Sequence, residues 1–553
     1  MIFDLATRSI YILSLLLPIT ISYDVVQKIR GKYYLYRVTE AVWDPEKKNS
    51  KQKRQYIGPC DENGVLDESR RKRTDDVVKR PEALYWSKNI GQYHLLTHLA
   101  DDSGLSAALT DAFGNDTGKD ILALVIMRIA QPSSLRNIED SIESTYLREL
   151  LDIDSDYSSQ RMSEIVQRIG RNEDARKRYC AAAVKDSGVV IFDTTVLFSS
   201  SRLFDMLEYG RKYKKSGLPQ VNMGYVHSLD RGMPVFYKLY PGSISDSVTV
   251  VNLIKELKGM GSSSQHLVMG RGFYSENNFR TMYTEGYGFT VPIPSSKNLF
   301  KSTLSEAIGD LENPENMFRF HGRTEFFADI TVGMPFSDIV DRDGAPIGTM
   351  RAIVYQNNDR RKDEIDTLAE RIDSVEREAA KTEYTKENVS ALFDGRNSDL
   401  RQLFDISEDN GMISLARKRN AISFAMRKCG RLILLTTSAD TPEAVLELYR
   451  LRGWVEMDYE VLKDDMDGGL EYVRDAVSAE GVMFIQFIAT GLRMYMNTQV
   501  SKDNGLRKLG IPSILKKLNL VTVSKIGGTM MVSEIGKKQR LIYEAFGIDP
   551  PVL

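Results

Sequence analysis

The chain has 553 residues, and its 74 Lys+Arg against 76 Asp+Glu leave a formal net charge of -2. At about 150 residues per domain, that length holds three or four domains. With 42% hydrophobic and 27% charged residues, the composition excludes wholesale disorder, a collagen, a disulfide scaffold and a polytopic membrane protein. The near-neutral total also argues against a nucleic-acid binder, but a total averages over segments of opposite sign.

Residues 10–21 are nearly continuous apolar sequence after Arg8. The run is shorter than the roughly 20 residues a membrane span needs. Its flank, Ile19-Thr20-Ile21-Ser22, is a poor leader cleavage site. The expectation is a packed helix or a start-codon extension, with no membrane partner. Residues 32–58 pattern as a β-hairpin. Lys32-Tyr33-Tyr34-Leu35-Tyr36-Arg37-Val38 is aromatic and β-branched, a polar turn contains Pro45, and Gln55-Tyr56-Ile57 returns. From 85 to 185 the apolar spacing is helical.

A run of short apolar strands follows. Val189-Val190-Ile191-Phe192 ends in Asp193-Thr194-Thr195, so a buried strand presents a carboxylate at its C-terminal tip. Strands over Val221 to Ser228 and Pro234 to Leu239, a turn at Pro241-Gly242-Ser243, a helix over Val248 to Leu257 and a strand at His266 to Met269 complete a mixed α/β core. Residues 300–430 interrupt it. They hold strand-like stretches at Phe326 to Val332 and Met350 to Tyr355, then a charged helix over Asp359 to Ala379, expected to lie on its own domain. The core resumes with a strand at 430–437. Thr441-Pro442-Glu443 supplies a cap, a first-turn proline and an acid, so a helix starts at 442. The remainder reads as helical.

Cys60, Cys180 and Cys429 are too scattered for a zinc site or a disulfide framework, which points to a cytoplasmic chain. His94 and His98 are four apart, but Leu95-Leu96-Thr97 lacks the glutamate of a zinc-protease helix. They read as ordinary helix histidines.

In the helix from 442, Tyr449, Arg452, Glu456 and Lys463 fall on one stripe roughly 60° wide at about 100° per residue. A solvated salt-bridge face is one reading, since Arg452 and Glu456 are four apart. Asp193 suggests another. Two carboxylates can hold Mg2+ (or Mn2+), which takes oxygen ligands from one or two carboxylates and from phosphate. Paired metals can clamp the two oxygens of a phosphoryl transfer.

Three motifs in order resemble the insertion-sequence transposases of the DDE class. They are Val190-Ile191-Phe192-Asp193-Thr194, then Arg271-Gly272-Phe273-Tyr274-Ser275 after a strand, then Tyr449-x2-Arg452-x3-Glu456-x6-Lys463. The last matches the family's Y-R-E-K signature at every spacing. Pro241 to Asp246 resembles a family turn, and the likeness spans roughly 30 to 545. The resemblance implies an α/β fold: an RNase H-like mixed-sheet catalytic core interrupted by a large insertion, with an N-terminal β-hairpin plus helical region and a helical C-terminus. The implied boundaries are 1–84 for the N-terminal extension and hairpin, 85–185 for a helical DNA-binding region, 186–295 for the first part of the core, 296–429 for the insertion, 430–500 for the second part and 501–553 for a basic C-terminus.

The resemblance further implies binding of transposon ends and target DNA by a homodimer on paired ends, with Mg2+-dependent strand cleavage and strand transfer. Carried over by position, Asp193 and Glu456 are catalytic metal ligands, while Tyr449, Arg452 and Lys463 hold the DNA backbone. One position departs: Gly270 stands where the family has its second aspartate. Glycine cannot ligate a metal, so this sequence is expected to bind DNA and to cut it weakly or not at all. Asp246 or Glu276 would have to take over the missing role. A DNA-binding protein or repressor derived from such an enzyme is the alternative, and a nuclease on the same fold is a third reading. The Gly270/Gly272 pair is a poor dinucleotide loop, since Ser275 occupies the third glycine position and no βαβ unit is evident.

Charge by segment fits nucleic acid. Residues 47–80 carry eleven Lys/Arg against six Asp/Glu, and residues 502–540 carry nine against two. Residues 355–410 carry nine against fifteen, which cancels half of that excess. Arg417-Lys418-Arg419 is a further small basic cluster. Clustered cations suit phosphate contact.

Overall fold

A nine-stranded mixed sheet organises the larger part of the chain in the computed structural model. The structure describes residues 23–44, 49–66, 86–132, 138–199, 201, 204–210, 219–334, 349–381, 384–385, 387–409, 412–465, 473, 475–526 and 528–553. The apolar run at 10–21 and the cations at 70–73, 79 and 80 lie outside the described residues.

The chain divides into two units. The first comprises residues 1–86 and 525–529. Its strands β1 (Tyr23–Ile29), β2 (Lys32–Asp44) and β3 (Asn49–Cys60) form an antiparallel sheet in that order. The expected hairpin is β2–β3. The strand before it was not anticipated, because Tyr23–Ile29 is short and carries polar residues in both alternating sets. Irregularities between Leu35 and Tyr36 and between Val38 and Glu40 shift the register of the hairpin.

The second unit begins at Ser87, within β4 (Trp86–Asn89), and continues with the helices α1 (Gly91–Asp102), α2 (Leu105–Phe113), α3 (Asn115–Ala130), α4 (Ile138–Glu143), α5 (Leu147–Leu151), α6 (Ser159–Arg171) and α7 (Glu173–Lys185). The sheet then builds from β5 (Val189–Phe198), β6 (Gln220–Ser228) and β7 (Met233–Pro241), all antiparallel. Helix α8 (Asp246–Gly259) leads to β8 (His266–Met269), and α9 (Glu276–Thr284) leads to β9 (Gly288–Pro292). β8 and β9 are parallel to β5. Helix-containing connections are what parallel neighbours require.

Helix α10 (Asn298–Ala307) follows, then β10 (Met317–Phe320), β11 (Arg323–Gly333) and β12 (Thr349–Asn357). These three strands lie within the expected insertion, yet they join the central sheet. Its order is β10-β11-β12-β15-β9-β8-β5-β6-β7, with β15 (Arg431–Thr436) between β12 and β9. The rest of that region forms a separate apolar cluster. Helix α11 (Asn358–Lys381) contributes Ile372 and Val375, against Leu392, Phe393, Leu403 and Phe404. A hairpin of β13 (Phe404–Asp409) and β14 (Met412–Arg417), then helix α12 (Arg419–Lys428), complete it. Arg417 pairs with Asp373 (2.9 Å) and Glu376 (2.6 Å), and Lys418 with Asp405 (3.3 Å). Much of the small basic cluster is thus neutralised within its own module.

The C-terminal elements are α13 (Pro442–Arg450), α14 (Gly453–Glu460), α15 (Ala476–Lys502), α16 (Asn504–Leu509), α17 (Ile511–Leu518) and α18 (Lys537–Phe546). The expected cap of α13 is present, with Thr441 Oγ1 accepting from the Ala444 N–H. Helix α15 is buried along most of its length. It crosses α6 at two glycines. A Cβ on Gly170 would stand 1.9 Å from the Val477 carbonyl oxygen, and one on Gly481 would stand 2.1 Å from that of Val166. Only glycine permits this approach. No helix among the described residues is long and apolar enough to cross a membrane.

Candidate active site

Two strands place the first candidate residues. The last registered pair of the parallel strands β5 and β8 is Phe192 with Met269. The next positions, Asp193 and Gly270, therefore lie side by side where β8 ends. Asp193 is not at the tip of its own strand, as the sequence suggested. β5 runs on to Phe198 because β6 pairs with it all the way to Gln220.

Side chains alternate between faces along a strand. Asp193, Thr195 and Tyr225, which pairs with Asp193, share one face. Helices α14 and α15 cover it: the Tyr225 ring lies 5.7 Å from that of Tyr459 and 5.8 Å from that of Phe487. Phe192 and Thr194 point to the other face, where Phe192 meets Phe273 at 5.1 Å.

The helix expected to run unbroken from 442 is two helices. At the junction the Arg452 N–H bonds Tyr449 O (3.2 Å), that of Trp454 bonds Leu451 O (2.9 Å), and that of Val455 bonds Arg452 O (3.2 Å). These three-residue steps tighten the backbone beside Gly453. Val461–Asp465 then widens into a π turn. The straight stripe inferred from the sequence is therefore bent, but its side chains still converge. Arg452 bridges both carboxylates: Nη1 donates to Asp193 Oδ2 (3.0 Å) and Nη2 to Glu456 Oε1 (2.8 Å). Lys463 Nζ donates to Thr195 Oγ1 (2.6 Å), one step along the same face of β5.

Burial works against the charge on Arg452, but Tyr449, Asp193 and Glu456 outweigh it and hold the guanidinium above its usual pKa. Burial pushes the Tyr449 hydroxyl up, and Arg452 and Arg450 pull it partway back. The Glu456 side chain is 62% exposed, so its ion pair adds little stability.

Gly270 has φ -75° and ψ 167°, extended backbone that any residue adopts. A Cβ there would meet only Arg452 Nη1, at 3.8 Å. Neither backbone nor packing calls for glycine. At Gly272 the situation is reversed, since a Cβ would stand 2.9 Å from Asp246 Oδ2. Asp246 opens α8 and accepts from Thr194 Oγ1 (2.7 Å). Thr194 faces away from Asp193, so this carboxylate belongs to the opposite side of the sheet. Glu276 opens α9 and is exposed. Among the described residues, no hydrogen bond or ion pair joins it to Asp193 or Glu456.

The family generally uses divalent metals, and the residues present do not fit one. Asp193 and Glu456 are both engaged by Arg452, and Gly270 beside Asp193 offers no side-chain ligand. Among the described residues, no group of three His, Cys, Asp or Glu side chains is arranged to hold a metal ion.

A second polar feature lies beneath α14. His227 Nδ1 and Asp458 Oδ2 are 2.7 Å apart, and both side chains are fully buried. Burial pushes the Asp458 carboxyl up and His227 pulls it back, with a net rise. The pair ties the helix bearing Glu456 to β6. Sequence reasoning missed it, although helical phase held the signal. Two residues turn the helix by about 200°, so Asp458 faces inward where Glu456 faces out. His94 and His98 form an edge-on ring pair at 4.4 Å, and His94 Nε2 meets the Asp549 carbonyl at 2.9 Å, a helix-packing role. In the C-terminal helices, Arg507, Lys508, Lys516, Lys537, Lys538 and Arg540 are all exposed.

A family model described as a transposase DDE domain matches residues 184–492. No curated protein matches the sequence. Among solved structures, the chain has a likeness to the piggyBac transposase in a synaptic complex with hairpin DNA, studied by electron cryomicroscopy. Identity is 11% and the TM-score 0.30, over 73% of this chain and 74% of that one.

Proposed function

The chain belongs to the transposase DDE-domain family, and on that premise we propose that it binds transposon ends and target DNA as a homodimer in the cytoplasm, with strand cleavage and strand transfer impaired by Gly270. The DNA backbone passes the rim of the site, where Arg452 and Lys463 reach Asp193 and Thr195 from the helices that cover β5. Lys463 and Arg452 supply cations to its phosphates, and Tyr449 supports the Arg452 guanidinium from beside it. The basic surface of α16, α17 and α18 adds sequence-independent phosphate contacts. When bound in a family site, the divalent metal activates the attacking oxygen and stabilises the leaving one. This chain's residues do not present that donor set, and no step is assigned to a metal here.

The register that sets Gly270 beside Asp193 carries the reading. It equally favours the second reading, a DNA-binding protein that occupies transposon ends without cutting them. Binding to labelled duplexes taken from the sequence flanking its own gene tests the DNA claim. Affinity is expected to fall steeply with added salt. Binding that does not change between low and high salt contradicts it. Nicking of the same duplexes separates the two readings: slow nicking in Mg2+ supports the impaired enzyme, and none supports the non-cutting binder.

A further inference from the structure

The three-stranded sheet of the first unit sorts its side chains by parity. Tyr34 and Tyr36 are two apart on β2, and Tyr36 pairs with Tyr56 of β3, so the three share a face. The Tyr56 ring lies 6.1 Å from that of Tyr34 and 5.5 Å from that of Tyr36, tilted by 52° and 60°. Tyr56 is 54% exposed, and Tyr23, on the same face of β1, is 42% exposed. The opposite face carries Val26 and Leu35, which lie 3.1 and 3.6 Å from where a Cβ on Gly64 would stand. Arg37 is on that opposite face too, paired with Asp24 at 2.8 Å.

The tyrosine face is also basic. Over residues 23–38 and 52–59 its positions include Lys32 and Arg54 and no Asp or Glu. Arg54 is held in place there. Its Nη1 donates to Gln27 Oε1 (3.1 Å), and its Nε and Nη2 donate to Gln52 Oε1 (3.0 and 2.8 Å). Gln52 Nε2 donates in turn to the Tyr23 hydroxyl (2.9 Å). Among the described residues these partners are neutral amides, which fix the guanidinium without cancelling its charge.

We propose that this face binds unpaired bases of single-stranded DNA, stacking them on Tyr34, Tyr36 and Tyr56 with Arg54 on the adjoining phosphate. The proposal rests on the reading that the chain acts on DNA. Aromatic rings stack on the face of any base, and cations beside them track the backbone. A duplex keeps its base faces inside the stack, so pairing withholds what the rings need. A contact to phosphate alone has no use for the three rings. An apolar protein surface would strip water from Arg54 without supplying a counter-charge.

Fluorescence anisotropy of the full chain tests this with three labelled probes of equal length: oligothymidylate, the same oligomer with abasic sugars, and a duplex from the sequence flanking its own gene. The natural chain is expected to bind oligothymidylate about tenfold more tightly than the abasic oligomer, which has the same charge but nothing to stack. Tyr56→Leu, which keeps an apolar side chain and removes the ring, is expected to weaken oligothymidylate about tenfold and to leave duplex affinity within about twofold. Tyr56→Phe is expected to stay within about twofold of the natural chain on every probe, because the ring remains. Arg54→Gln is expected to weaken both single-stranded probes and to flatten their salt dependence. The exposure of Tyr56 predicts that its variants fold, which their melting temperatures check. An abasic oligomer that binds as tightly as oligothymidylate overturns the proposal, as does a Tyr56→Leu variant that binds oligothymidylate like the natural chain. A chain that binds the duplex but not oligothymidylate overturns this proposal and leaves the proposed function standing. One that binds oligothymidylate but not the duplex overturns the proposed function and leaves this binding face standing.

Discussion

Glycines at the crossing of α6 and α15 and the glycine at the end of β8 make opposite statements about the molecule. At the crossing, Gly170 and Gly481 each let a helix approach the other's backbone, to where a Cβ would fall within 2.1 Å of a carbonyl oxygen. At Gly270 the backbone is ordinary and the space is open. In the first region the missing side chain is a condition of folding. In the second neither backbone nor packing calls for it. The same residue type is thus required by packing in one place and not in the other, and only the surroundings tell them apart.

Replacements on the structural side should cost stability, and in a definite order. His227→Ala leaves the Asp458 carboxylate buried without its partner and should cost about 3–5 kcal/mol. Replacing both with apolar residues should recover most of that loss, and urea denaturation of the single and double variants checks it. Gly481→Ala should cost about 2–3 kcal/mol, because the helices must move apart. Gly272→Ala should cost about 1 kcal/mol, since its Cβ meets a side chain, Asp246, that can shift at the expense of its bond from Thr194. Gly270→Asp should change stability by less than about 0.5 kcal/mol. A loss at Gly270 as large as that at Gly481 would erase the contrast between the two regions.

Local signals carried the sequence reading far. The bounds of β8, those of α11 to within two residues and the start of α13 follow from apolar spacing and a cap, and the approach of Arg452 and Lys463 to β5 agrees with their spacing and resemblance. What stayed hidden depends on pairing at a distance. Nothing local in β10, β11 and β12 tells whether they extend the central sheet or form a module of their own, since that turns on the pairing of β12 with β15. The bend at Arg452 rests on hydrogen bonds one residue shorter than the helical step, which residue spacing does not reveal. The assignment of Asp246 to the far face needed the parity of Thr194 on β5, and hence the register of the sheet.

The central claim is that one carboxylate separates this site from a working one. Cleavage and strand transfer on duplexes from the flanking sequence of its own gene, in Mg2+, test it most directly with three proteins: the natural chain, Gly270→Asp, and Gly270→Asp combined with Glu456→Gln. The account predicts at least a hundredfold gain for Gly270→Asp, on the order expected from completing a metal site, and loss of that gain in the double variant. Equal and strong activity in all three would contradict it.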